Sequence, residues 1–122
     1  MITHTRGLAL AAAVLLGSAG AASAHAHLKT ATPAADATVA VAPTELRLGF
    51  SEGVDVTFTG LTLGGPAGAV STGTASLAPG DDKVLVVPLA GPLAPGRYRV
   101  DWHALATDGH RTDGTYGFTV KP

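Results

Sequence analysis

Eight residues near the end of the chain, Arg97–Ala104, alternate strictly between two faces. Tyr98, Val100, Trp102 and Ala104 share one face, and Arg97, Arg99, Asp101 and His103 the other, which is the period-2 signature of a strand buried on one side. Such a strand cannot stand alone; it needs paired neighbours and a second layer to cover its apolar face. The same period recurs in Glu45–Phe50, which puts Leu46, Leu48 and Phe50 inward, and in a last strand that puts Tyr116, Phe118 and Val120 inward. A strand is expected from Val54 to about Leu63, with its parity switching at Gly60 as a β-bulge would make it do. Gly64–Gly68 and Pro79–Asp82 read as turns, residues 69–77 as an edge strand, and Lys83–Val87 as a short β-branched strand. Thr107–Gly114 reads as a loop, with Asp113-Gly114 a turn within it. Outside the first 24 residues no segment sustains a 3.6-residue period. The chain is therefore expected to be all-β, an Ig-like or Greek-key β-sandwich or barrel of about seven strands.

The amino-terminal end has a different logic. Arg6 closes a short cationic start, Gly7–Gly17 is apolar, and Ala22-Ser23-Ala24 satisfies the small-x-small rule of signal peptidase. The apolar run is too short to span a bilayer as a helix, so residues 1–24 are expected to be a cleaved signal peptide. Residues 25–122 remain as a single domain, exported or periplasmic and soluble, and expected to be a monomer. Cleavage after Ala26 also fits the rule and would make His27 the first residue. There is no cysteine, so an exported domain of this size must hold itself by packing alone and has no thiolate metal ligand. The single methionine is Met1, which removes thioether ligands suited to Cu(I). Net charge is −1 with no basic cluster, which argues against nucleic acid as a partner.

Cleavage after Ala24 makes His25 the first residue, and its free amine and Nδ1 can close a ring on one metal ion. Asp108 and His110 lie two residues apart in the late loop, with Gly109 between them to let the backbone turn. Amine, imidazoles and a carboxylate form a nitrogen and oxygen set suited to Cu(II). A second mode competes. A histidine at the third position of a free chain, here His27, binds Cu(II) with the amine and two deprotonated backbone amides and needs no fold. The residues alone do not rank the two. Taken singly, a His-x-His near a terminus is usually incidental and Asp-Gly an ordinary turn. Glu52 reads as a solvated loop residue, and His103 as a surface group on the strand's outer face.

Several stretches together resemble the CopC family of periplasmic copper-binding proteins. They are His25-Ala26-His27-Leu28-Lys29 with Thr32-Pro33, Leu46-Arg47-Leu48-Gly49-Phe50-Ser51-Glu52, Pro95-Gly96-Arg97-Tyr98-Arg99-Val100-Asp101-Trp102, and Asp108-Gly109-His110 with Gly114–Val120. The resemblance spans essentially the whole mature chain. It implies a seven-stranded Greek-key barrel holding Cu(II) through the amine and imidazole of His25, with Asp108 and His110. It also implies Glu52 as a weak ligand or a group beside the metal; His27 stays a candidate only through the competing local mode. Family members with a separate Cu(I) site carry a methionine-rich segment in mid-chain, which this sequence lacks. The family often has Arg where His103 stands, so His103 inherits no role.

The expected function is Cu(II) storage, delivery or resistance outside the cytoplasm, with copper ion as ligand and an inner-membrane copper transport protein as a possible exchange partner. No enzymatic activity is expected. The alternatives are a copper-dependent polysaccharide monooxygenase-like enzyme and a metal-free Ig-like interaction module. The first would need an aromatic substrate surface, whereas Trp102, both tyrosines and Phe50, Phe58 and Phe118 are mostly assigned to the core.

Overall fold

The computed structural model of the protein describes residues 25–122, so the signal peptide expected over residues 1–24 lies outside the described residues. The described residues form two open sheets packed face to face. The first has the order β1 (Leu28–Thr32), β3 (Glu45–Phe50), β7 (Asp81–Pro88), β6 (Ser76–Ala78). The second has the order β2 (Thr38–Val39), β9 (Arg111–Val120), β8 (Gly96–Leu105), β4 (Gly60–Gly65), β5 (Gly68–Val70). All pairs are antiparallel except β2 with β9. The fold is thus the expected sandwich, and the barrel implied by resemblance is not closed.

The inner faces follow the alternation closely. Leu46, Leu48 and Phe50 of β3 and Leu85 and Val87 of β7 meet Leu63 of β4, Tyr98, Val100, Trp102 and Ala104 of β8, and Phe118 and Val120 of β9, all buried. Phe50 meets Trp102 edge-on at 5.4 Å between ring centroids, a favoured aromatic geometry. The Tyr98 hydroxyl donates to the carbonyl of Ala94 at 2.6 Å. That bond makes a tyrosine corner, a feature of late Greek-key strands.

Three sequence expectations are corrected. The strand expected over Val54–Leu63 exists only as β4; Val54 makes an isolated bridge to Ala106, and Val56–Phe58 form a 3₁₀ turn. Asp55 caps that turn by accepting from the Thr57 amide at 2.9 Å, and the buried Thr59 hydroxyl accepts from the Leu105 amide at 3.1 Å. Side-chain acceptors thus replace ladder partners, and the parity switch at Gly60 marks the end of a turn and no bulge. As a result Phe58 is 52% exposed and does not belong to the core.

Residues 69–77 do not form one edge strand. They cross between layers, because β5 is the edge of one sheet and β6 the edge of the other.

The late loop is shorter than expected. Asp113-Gly114 is not a turn but part of β9, where His103 faces Asp113 and Trp102 faces Gly114. A Cβ on Gly114 would lie 2.6 Å from the Trp102 ring, so the glycine makes room for the indole. β8 and β9, ten residues each, pair along their full length and leave only Ala106–His110 as the connection.

Tyr116 faces Val100 across the β8–β9 pair, and its hydroxyl is buried with no hydrogen-bond partner among the described residues. Burial pushes its pKa up to about 12. A phenol ionises near pH 10 in an unfolded chain, so stability from this group is fully present below that pH. It is lost as pH rises toward about 12, because the unfolded state gives up its proton first. Tyr116→Phe should therefore flatten the fall in stability between about pH 10 and about pH 12, measured by urea unfolding, because it removes the ionisable group. An unchanged alkaline profile would contradict it.

Candidate metal centre

The site is assembled at the end of the sandwich where β3 finishes and β9 begins. After Phe50 the chain continues its pairing with the amino-terminal strip, since the Ser51 amide donates to the His27 carbonyl at 2.8 Å. The Ser51 hydroxyl accepts from the His27 amide at 2.8 Å and donates to the His25 carbonyl at 3.1 Å. From the other sheet the Thr112 hydroxyl donates to the Ala26 carbonyl at 2.8 Å. Ala26 is completely buried, while His25 and His27 on either side of it are exposed. An extended strip alternates its side chains, so the buried alanine fixes both histidines outward.

The Ala106–His110 connection is equally determined. The Ala106 amide donates to the His110 carbonyl at 2.8 Å and the Gly109 amide to the Ala106 carbonyl at 2.9 Å. Gly109 has φ of +94°, a left-handed conformation that favours glycine. The Thr107 amide donates to the Gly53 carbonyl at 3.0 Å, tying the loop to the segment that follows β3. Asp108 Oδ1 accepts from the His110 amide at 3.0 Å and lies 3.2 Å from His110 Nδ1. The first of these bonds, with the charge of nearby His110 and His25, holds the Asp108 carboxyl below its ordinary pKa despite its partial desolvation. Asp108 therefore stays anionic at lower pH than a free aspartate.

These elements bring the rings of His25 and His110 to 4.7 Å between centroids, nearly perpendicular to each other. The His27 ring stands further off, 6.3 Å from His25. Glu52 is half-buried beside Ser51, and His103 is exposed on the outer face of β8 over Gly60. Among the described residues no three His, Cys, Asp or Glu side chains converge as a ready metal cage. What the fold brings together is an imidazole pair with a carboxylate on one of them. Asp108 Oδ1, 3.2 Å from His110 Nδ1, sets a carboxylate beside one imidazole, as is common at metal-binding histidines. Sequence reading missed Ser51 and Thr112. Their only signal was a hydroxyl at the end of one strand and at the start of another, which is too common to single out.

The chain is similar to several known proteins over most of its length. The protein YobA of Escherichia coli strain K12 is 48% identical over 90 residues, 73% of each chain. Copper resistance protein C of Escherichia coli is 43% identical over 119 residues, covering 92% of this chain and 94% of that one. The crystal structure of CopC from Methylosinus trichosporium OB3b superposes with a TM-score of 0.74 at 32% identity, over 80% of this chain and 95% of that one. The CopC domain matches residues 28–121, nearly the whole described region, and the chain therefore belongs to the CopC family.

Proposed function

We propose that the mature chain, released by cleavage after Ala24, is an exported monomer that binds one Cu(II) and stores it or passes it on. The metal is held by the amine and Nδ1 of His25 and an imidazole nitrogen of His110, with Asp108 as the adjoining carboxylate. The observation that carries this reading is the approach of the His25 and His110 rings to 4.7 Å from distant parts of the chain. The relative named copper resistance protein C supports copper as the ligand. Nitrogen donors with one carboxylate favour Cu(II) over softer ions. Protons compete for the same lone pairs, so affinity falls as pH is lowered. Glu52, next to Ser51 in the chain, is the candidate for a weaker contribution, whereas His27 stands further off, its ring 6.3 Å from that of His25. A membrane copper transport protein is the natural class of exchange partner for an exported carrier.

The polysaccharide-oxidising alternative gains nothing from the fold. Phe58 is the exposed aromatic among the described residues, with Trp102, Tyr98, Phe50 and Phe118 buried, and a flat aromatic platform needs several. Copper-dependent oxidation of a sugar polymer in the presence of ascorbate would revive it.

The test is a Cu(II) competition titration with electron paramagnetic resonance on protein whose mass shows His25 first. One-to-one binding is expected, stronger than that of the isolated amino-terminal peptide and weakened by His110→Ala. Binding that survives replacement of both His25 and His110 would overturn the assignment.

A further inference from the structure

A chain that starts His25-Ala26-His27 carries two rival ways of holding Cu(II), and the fold treats them unequally. The fold-independent mode takes four nitrogens from three consecutive residues: the amine, the amides of Ala26 and His27 after loss of their protons, and the His27 imidazole. It needs the tripeptide to curl around the metal in one plane. In the structure the His27 amide is already a donor to Ser51 Oγ at 2.8 Å. The same hydroxyl donates to the His25 carbonyl at 3.1 Å, so Ser51 spans the tripeptide from end to end. The Ser51 amide and Thr112 Oγ1 hold the carbonyls of His27 and Ala26, both at 2.8 Å, and the Ala26 side chain is completely buried between them. Curling the strip would break these bonds together, withdraw Ala26 from the core, and leave groups formed for one geometry without partners.

We infer that Ser51 is a positioning residue that selects how copper binds: by holding the His27 N–H and the His25 carbonyl, it keeps the tripeptide extended and directs the metal to His25 and His110. Thr112 assists from the other sheet. Neither touches the metal; both act through the strip. This inference rests on the Cu(II) reading above and deepens it. The ring distances agree, with His110 at 4.7 Å from His25 and His27 at 6.3 Å.

The experiment uses mature protein with His25 first, loaded with one equivalent of Cu(II), and reads the visible and electron paramagnetic resonance spectra. Wild type should show a spectrum that changes in His110→Ala and not in His27→Gln. Ser51→Ala should weaken that form by about 10–100-fold, the range for losing a supporting contact at a metal site. It should also gain a four-nitrogen component, with its visible band at shorter wavelength, that vanishes when His27→Gln is added. Ser51→Thr, which keeps a hydroxyl, should restore the wild-type spectrum. Ser51→Ala with wild-type spectrum and affinity would overturn the selector while leaving the His25 and His110 site intact. A wild-type spectrum indifferent to His110→Ala would instead remove the parent reading, and the selector with it. A measurement on unsubstituted protein guards against misfolding of the variant. Amide hydrogen exchange in the copper-free form should show the His27 N–H protected, and exchange at the rate of a free peptide would overturn the inference.

Discussion

Two extra residues ahead of His25 are expected to lower Cu(II) affinity by more than about 100-fold, the upper end of what losing a mere supporting contact costs. The extension turns the amine into a peptide amide, whose lone pair is delocalised, and so removes the proposed amine ligand and with it the proposed ring with Nδ1. The fold should be indifferent. Ser51 and Thr112 engage the carbonyls of His25, Ala26 and His27 and the amide of His27, and none of these bonds uses the His25 nitrogen. The expected result is an unchanged thermal midpoint beside a collapsed affinity, measured on the same two preparations. Equal binding by both forms would make the terminus a bystander and move the search to another part of the surface.

The largest effect on stability is expected from Phe118→Ala. Phe118 is fully buried on β9, and its ring stacks on Tyr98 with centroids 5.4 Å apart and planes 12° from parallel. Truncating a buried phenylalanine typically costs about 3–5 kcal/mol through lost burial and the cavity left behind. A domain of this size has only about 5–15 kcal/mol in hand, and with no cysteine it has no disulfide to fall back on. A fall in the midpoint of thermal unfolding on the order of 20 °C follows from the usual scaling for small domains. Loss below about 1 kcal/mol by urea unfolding would mean that the site collapses around the smaller side chain far better than close-packed cores allow.

Legibility in the sequence tracked how local each feature is. Arg97–Ala104 announced both its strand and its buried face, since alternation is a property of neighbouring residues and the structure buries Tyr98, Val100, Trp102 and Ala104 as the parity requires. Val54–Thr59 misled because its apolar spacing fits a strand, while Asp55 and Thr59 satisfy backbone amides with their side chains. Asp113-Gly114 misled because Asp-Gly is good turn chemistry. Here the glycine is required by the Trp102 ring on the neighbouring strand, a partner that no short window contains.

The sequence by itself determined the all-β class, the inward faces of β3, β8 and β9, the family to which the chain belongs, and the residue types offered for a metal. Period, turn chemistry and donor identity are written in adjacent residues, so these features can be read without coordinates. Only the tertiary structure decided that the sandwich stays open, that residues 69–77 pass from one sheet to the other, and that Phe58 faces solvent. It alone decided that Ser51 and Thr112, from different sheets, grip the strip that carries His25 and set it beside His110. Those outcomes depend on which distant groups satisfy one another's hydrogen bonds and fill one another's space, and that matching exists only once the layers have packed.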